Sequence, residues 1–558
     1  MPTAFVNNQE IELKEGERLN CIQAAQRIGF EIPHYCWHPA LSVVASCRMC
    51  LVEVGERKPD GTVVMQPKLV PGCQTPVKEG TVVVADSPKV KAAQQATLEY
   101  LLLNHPLDCP TCDQAGECGL QDYSYKYGRG YSRLQEPKNI KPDKDHIGDQ
   151  ITLFTDRCIM CTRCVRFTRE YSGTSELQVV ARGSDEEIDV FPGRPCNNLL
   201  AGNVVDLCPV GALCSKDFLY KQRVWWLKEA RSVCPNCSTG CSIQVEQNDD
   251  RVYRLKPRTN PMSQGHFMCD EGRFGWKYIH VENRLTFPVR RKNGQIRTRD
   301  WDDVIPSLQK ALAKAAARAP EKCAAIFSPW MTCEEAYMLA SFLRSLSPKF
   351  RLALGPVRVT GQDDTYPKDF YGRPLEPVRF TIHAEKCPNH RGVSMVLEHF
   401  GAAATMGDVL AQAEAGLEAV YAVGGDPQGW LDEAQAAALA KAQLTVVQDI
   451  LPSPLSEQAD YVLTGGSFAE RDGTFVNYKG LAQEIHRAIR SPDGARPDGR
   501  ILWELSGRRG LYSVAAIRKE MAEKVPAFSA LAQGVLGEFG VLLNEHGAPE
   551  PSVVAAAK

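Results

Sequence analysis

Cys36, Cys47, Cys50 and Cys73 are spaced C-x10-C-x2-C-x22-C. Thiolates two residues apart converge on one metal centre. Three ligands on one loop with a fourth from a later element is how plant-type ferredoxins hold a [2Fe-2S] cluster, although their first interval is shorter. Zinc held by four thiolates is the competing reading, and the strands and helix around the loop favour the cluster. A second group, His105, Cys109, Cys112 and Cys118, has the spacing H-x3-C-x2-C-x5-C. It suits zinc with three thiolates and one imidazole, or a [4Fe-4S] cluster with one imidazole ligand, and spacing does not separate the two. With iron, the neutral imidazole lowers the negative charge of the cluster, the direction that raises potential in Rieske centres.

The third group is the most specific. Cys158, Cys161 and Cys164 in DRCIMCTRC, with Cys208 in LCPVGAL, form C-x2-C-x2-C followed by a distant C-P, the bacterial ferredoxin pattern. A second complete run would need cysteines at 198, 201 and 204, where the chain has Asn198, Ala201 and Val204. Cys208 is therefore left to complete the first cluster. The fourth group, Cys234, Cys237, Cys241 and Cys269, is spaced C-x2-C-x3-C-x27-C and suits [4Fe-4S] or zinc.

Of the 21 cysteines, 18 lie before position 270. Without a secretion signal, such clusters point to metal or redox chemistry rather than disulfides. Cys21, Cys323, Cys333 and Cys387 are expected to be small buried hydrophobes. Cys196 and Cys214 are read as bystanders of the third group, and His34 as a surface or supporting side chain. Arg157, Arg163 and Arg166 could offset thiolate charge, but a solvated face is the commoner fate of such residues.

These groups need elements to hold them. FVNNQEIELKEG reads as a hairpin turning at Asn7-Asn8, LNCIQAAQRIGF as a short amphipathic helix, and LVEVGE and TVVVAD as strands. The helix PKVKAAQQATLEYLLLNHP delivers the second group, and EPKNIKPDKDH follows as a polar linker. SIQVEQNDDRVYRLKP reads as a hairpin turning at Asn248-Asp249-Asp250 within the fourth group. Beyond residue 300, Ala-rich helices alternate with short β-branched runs such as CAAIFSP, LEAVYAVGG and LTVVQDI. That alternation argues for parallel βαβ units with both sheet faces covered.

The 558 residues exceed one hydrophobic core, so several domains are expected. A formal net charge of −2 with scattered Lys and Arg lacks the basic footprint of a nucleic-acid binder. No apolar stretch approaches the roughly 18 to 20 residues that span a bilayer. The chain is expected to be cytosolic, reaching a membrane only through a partner.

Taken in order, the four groups resemble the large iron–sulfur subunit of bacterial respiratory NADH:quinone oxidoreductase, complex I, the homologue of the 75 kDa subunit. The resemblance is strong over residues 1–280. The stretch LSEQADYVLTGGSFAERDGTFVNYKG, 455–480, is similar to the molybdopterin oxidoreductase domain that completes such subunits. The implied fold class is multidomain. A ferredoxin-like α+β [2Fe-2S] domain (1–90) precedes a one-His three-Cys [4Fe-4S] segment (91–140). A [4Fe-4S] ferredoxin-like domain (141–222), a four-Cys [4Fe-4S] domain (223–285) and a shortened α/β molybdopterin-oxidoreductase-like domain without cofactor (286–558) follow.

The resemblance implies that the second and fourth groups each hold [4Fe-4S], for one [2Fe-2S] and three [4Fe-4S] clusters in all. It implies no molybdopterin, FMN or NAD on this chain and no catalytic acid or base. The implied partners are a flavoprotein NADH-binding subunit and the quinone-side iron–sulfur subunits of complex I, in the peripheral arm on the cytoplasmic face of the inner (plasma) membrane. Only some bacterial members keep the fourth cluster, which lies off the main electron route. The C-terminal part is short for the family and shows no Cys or Ser metal-ligand motif. Gly424-Gly425 in GGDP is weak evidence for a nucleotide site. An iron–sulfur subunit of an NAD-linked formate dehydrogenase or hydrogenase is the alternative. A zinc-stapled structural protein is a third reading.

Overall fold

The computed structural model describes residues 2–402 and 404–543; residues 544–558 of the expected α/β domain lie outside the described residues. The chain forms two compact units. One spans the chain up to Leu227 and takes in Thr365–Phe380; the other is Lys228–Asp364 with the described chain from Thr381.

In the first unit, Thr3–Val6 and Gln9–Glu12 pair antiparallel. Asn7 and Asn8 take the two positive-φ positions, +46° and +66°. A two-residue hairpin demands such angles because they match the strand twist, and Asn tolerates them. Thr81–Val84 joins Thr3–Val6 in parallel and pairs antiparallel with Leu51–Arg57. The apolar face of this sheet packs Val6, Ile11, Val52 and Val83 against Ile22 and Ala25 of the helix Cys21–Arg27. Each such Val or Ile contributes about 1.5–3 kcal/mol by leaving water. The helix starts in a reciprocal cap: Asn20 accepts from the Gln23 N–H and the Gln23 side chain accepts from the Asn20 N–H. Asn20 also donates to the Cys73 carbonyl at 3.1 Å, which ties this helix start to the first cysteine group.

The helix Pro88–Leu103 starts at Ser87, with Pro88 in its first position. At its other end the carbonyls of Leu102 and Leu103 both accept from Lys138 Nζ at 2.8 Å. The polar segment read as a linker thus supplies a cation where helix carbonyls and dipole need one, two residues before His105. The strands Ile151–Leu153 and Leu213–Ser215 pair antiparallel, with Leu153 opposite Leu213. One leads into the Cys158 run and the other follows Cys208, so their pairing brings together ligands some fifty residues apart in sequence. Thr365–Phe380 packs on the chain after Tyr171: Lys368 N–H donates to Ser172 O at 2.8 Å and Tyr171 Oη–H to Arg379 O at 3.2 Å.

In the second unit, Lys228–Val233, Ser242–Asn248 and Arg251–Pro257 form an antiparallel meander. Its second turn has Asp249 and Asp250 at φ +49° and +59°, where the sequence placed it. The larger part is an eight-stranded sheet among the described residues. Cys323–Phe327, Ala419–Val423, Thr445–Asp449 and Tyr461–Thr464 lie side by side in parallel register. These four strands are buried along their length, as expected of a sheet covered on both faces by helices such as Trp301–Arg318 and Glu433–Leu439. Val289–Lys292 and Gln295–Thr298 extend one edge antiparallel.

Candidate metal centres

The first group closes on itself. The Cys36 thiol lies within hydrogen-bonding reach of Cys47 and Cys73, and Cys50 within reach of Cys73. Donation from Cys47 and then Cys73 holds the Cys36 thiol far below the usual thiol range, while the same bonds push Cys47 and Cys73 up. Competition for protons among four thiols in one confined place is relieved when a metal centre takes the thiolates. Ala45 and Arg48, between the ligands, sit at φ +50° and +59°. Such left-handed positions are uncommon for side-chain-bearing residues and mark a tightly wound ligand loop.

The third group repeats the device, with Met160 and Thr162 at φ +50° and +58° between its ligands. Leu153, Ile159, Ile188 and Leu213 wall a cavity with Cys158, Cys161, Cys164 and Cys208. Burial pushes Cys158 up to about 12 and Cys161 to about 11, so both stay protonated at neutral pH unless ligated.

In the second group, His105, Cys109 and Cys118 line a cavity of about 430 Å³ bordered by Leu102, Leu103 and Leu120. Cys112 is within electrostatic reach of Cys109 and Cys118. His105 Nδ1 is buried and has no hydrogen-bond partner among the described residues. Burial pushes this imidazole down to about 4, so it is neutral at physiological pH, the form that ligates. Gly211 lies against the group: a Cβ there would sit 2.1 Å from Cys112 Sγ.

In the fourth group, Cys234 follows the first strand of the meander and Cys241 precedes the second, and Cys234 N–H donates to Cys241 O at 2.8 Å. Cys237 and Cys269 lie within electrostatic reach of both, and all four are buried. Cys269 Sγ accepts from Gly272 N–H at 3.4 Å, and a Cβ on Gly272 would sit 2.7 Å from Cys234 Sγ. Cys234 is pushed up to about 12 by burial. Among the described residues no three His, Cys, Asp or Glu side chains converge as ligands of a single metal ion would. An orphaned imidazole, thiols sharing buried space and glycines that leave room for sulfur nonetheless fit iron–sulfur centres.

Three arginines expected on a solvated face are inside instead, because sequence spacing carries no record of what the fold brings against them. Arg157 is buried, stacks on Phe154 and pairs with Asp108 at 2.8 Å, one residue before Cys109. Arg166 is buried and donates to the carbonyls of Cys36, Ser42 (2.5 Å) and Cys161 (3.3 Å). Half-buried Arg163 donates to Trp37 O at 2.6 Å and Leu207 O at 3.4 Å. Their position beside Cys158 and Cys164 was the one available signal. The second and third groups are joined by Pro209, whose carbonyl accepts from Gly119 N–H at 3.1 Å and lies 3.9 Å from Cys118 Sγ.

The cysteines outside the four groups are all inside the fold. Cys21, Cys323, Cys333 and Cys387 are buried, as are Cys196 and Cys214, whose thiol donates to Gly211 O at 3.6 Å. His34 is half-buried, with Nδ1 2.8 Å from Ile32 O and its ring edge-on to Trp37.

At the carboxyl ends of the parallel strands, Gly424 and Gly425 do form a strand-end turn, Gly425 at φ +119°. The space over Gly424 is filled by the Asp449 carboxyl and the Trp430 indole, which are bonded at 2.8 Å. Burial raises Asp449 to about 6, and Asp426, the residue after Gly425, pairs with Arg358 at 3.2 Å. A turn packed by the chain's own side chains and lined by carboxylates does not fit an anionic pterin cofactor.

Family models match the chain in the same order. They are the 2Fe-2S iron-sulfur cluster binding domain (3–88), the NADH-ubiquinone oxidoreductase-G iron-sulfur binding region (94–133), and the ferredoxin-like domain of NADH-quinone oxidoreductase subunit 3 (148–214). The molybdopterin oxidoreductase Fe4S4 domain (227–281) and the molybdopterin oxidoreductase model (399–508) follow. The chain is thus a multidomain protein of 2Fe-2S and 4Fe-4S binding modules ahead of a molybdopterin-oxidoreductase-type α/β domain.

Among curated proteins it is similar to the NADH-quinone oxidoreductase G-subunit of Rickettsia felis, 37% identical over 341 residues, 61% of this chain and 48% of that protein. It is also similar to the NADH-ubiquinone oxidoreductase 75 kDa subunit of Reclinomonas americana, 38% identical over 312 residues, 56% of this chain and 43% of that protein. The chain spans about half the length of the curated relatives it matches. A solved NAD+-reducing [NiFe]-hydrogenase chain is 26% identical, with a TM-score of 0.35 over 40% of this chain and 91% of that one. No helix among the described residues is long and apolar enough to cross a membrane.

Proposed function

We propose that this chain is the electron-relay subunit of an NADH:quinone oxidoreductase. Electrons would enter from a flavin-bearing, NADH-binding subunit and leave toward quinone-side iron–sulfur subunits, in the peripheral arm on the cytoplasmic side of the membrane. The proposed ligand sets are Cys36, Cys47, Cys50 and Cys73 for [2Fe-2S], and His105 with Cys109, Cys112 and Cys118 for [4Fe-4S]. Two further [4Fe-4S] sets are Cys158, Cys161, Cys164 and Cys208, and Cys234, Cys237, Cys241 and Cys269. When bound, such clusters take up and release single electrons with little change in geometry.

The observation that carries this reading is the lacing of three ligand groups within one unit. Cys36 and Cys161 share the Arg166 guanidinium, and the Pro209 carbonyl meets Gly119 and Cys118. The chain's own part is to hold these loops close, to bury most of the thiols, with Cys109 left exposed, and to supply backbone N–H groups and cations around them. The Asp426–Arg358 and Asp449–Trp430 pairs support a C-terminal domain that serves as scaffold.

Full-length chain purified without oxygen tests the reading. It should be brown and carry about fourteen iron atoms with matching acid-labile sulfide, the sum for one [2Fe-2S] and three [4Fe-4S] centres. Colourless protein with zinc and no sulfide refutes it. In an assembled complex, Cys161→Ser should abolish NADH-to-quinone flux; unchanged flux removes the third group from the relay.

A further inference from the structure

We propose that Arg163 and Arg166 form a shared clasp that sets the reduction potentials of the Cys36 and Cys158 centres together. The proposal rests on the cluster assignments above and adds the residues that tune them. The two arginines are three apart on the helix Arg163–Glu170, so they occupy one face, and that helix begins with ligand Cys164 at its second position. Arg166 is 4% exposed. It bonds the carbonyls of a ligand of each group, Cys36 and Cys161, and that of Ser42. Arg163 bonds the carbonyls of Trp37 and Leu207, each adjacent in sequence to a ligand of one group. Between them the pair therefore holds the ligand loops of both centres from one helix.

Their hydrogen bonds explain why this matters electrically. Every one they make among the described residues ends on a neutral oxygen: the carbonyls of Cys36, Trp37, Ser42, Cys161 and Leu207, and Thr162 Oγ1. A buried cation, Arg166, and a half-buried one, Arg163, with no carboxylate bonded to them are costly unless another anion compensates them. The anions in position are the ligand thiolates: Cys161, Cys208 and Cys36 lie within electrostatic reach of Arg163, and Cys161 within reach of Arg166. A fixed positive charge beside a centre favours its reduced form, which carries one more negative charge, and so raises its potential. Because the same two cations face both centres, their effect on the two is common.

The test is a redox titration of the anaerobic full-length chain, followed by the paramagnetic signals of each reduced centre. In Arg166→Gln and Arg163→Gln, the midpoints of the Cys36 and Cys158 centres should both move to more negative values, with the other centres unmoved. Arg166→Lys keeps the charge and should return both midpoints toward the parent. Arg169→Gln, exposed on the same helix, should move neither. The clasp is overturned if Arg166→Gln retains both centres with neither or only one shifted. It is equally overturned if Arg166→Gln loses a centre while Arg163→Gln leaves both midpoints in place, since the arginines would then be merely structural. A parent chain without iron–sulfur signals would instead defeat the functional reading beneath it.

Discussion

Gly211→Ala isolates the role of close packing at the second centre. Gly211 does not sit at a positive φ, so its backbone admits alanine and the effect of the change is steric. The new methyl would lie 2.1 Å from Cys112 Sγ and 3.1 Å from Gln114 Cβ, where ordinary contact begins at 3.4 Å. The sulfur must therefore retreat by about 1.3 Å, or the Pro209–Gly211 loop must yield. Overpacking of this kind costs about 1–3 kcal/mol, which the fold can survive. Metal–ligand distances tolerate only about 0.2 Å, so Cys112 cannot remain a ligand at that displacement. The variant should fold, lose the second centre selectively, and drop from about fourteen to about ten iron atoms per chain. Iron and sulfide analysis with low-temperature paramagnetic resonance reads this. Gly130→Ala, with nothing within 4 Å of its Cβ, is the control. A Gly211→Ala chain with full iron and an unaltered second-centre signal would refute the packing argument.

His105→Cys replaces a neutral ligand by an anionic one and should lower the midpoint of the second centre alone; a rise would show that His105 is not a ligand. For the fourth group, burial holds Cys234 at about 12, so ligation of a probe metal must expel protons. Cadmium affinity of the apo chain should therefore rise up to about tenfold per pH unit for each proton released, and equal affinity at about pH 6 and about pH 8 would rule this out. Burial raises Glu335 from 4.5 to about 7. Between those values the folded chain keeps a proton that the unfolded chain loses, so its contribution to stability falls as pH rises through that window. Glu335→Gln cannot ionise yet keeps an acceptor for Thr332 N–H and Arg471, so its stability relative to the parent should rise between about pH 5 and about pH 8. Melting curves displaced equally at both pH values would refute the linkage.

Local signals were legible wherever the cause is local. The Asn7-Asn8 and Asp249-Asp250 turns were visible because few residues accept consecutive positive φ. The parallel strands were visible because unbroken β-branched runs have few other homes. The ligand groupings were proposed from spacing, and the fold brings each set into one neighbourhood. What sequence did not disclose depends on partners far along the chain. Arg166 meets Cys36 across 130 positions, and Gly211 meets Cys112 across about a hundred. Lys138 looked like part of a solvated tether until the helix end it caps was in view. Nothing in a charge pattern distinguishes an arginine facing water from one facing carbonyls.

The Thr365–Phe380 segment imposes an order of events on biosynthesis. Gly173 can meet it only as glycine, because a Cβ there would lie 2.2 Å from Lys368 O, and Arg194 stacks on Phe370 at 3.8 Å. The unit that houses the first three cysteine groups therefore gains its last described packing partner only once translation has passed Phe380. Until then the surface around Ser172, Gly173 and Arg194 stands uncovered on the segment that leads from the Cys158 run to Cys208.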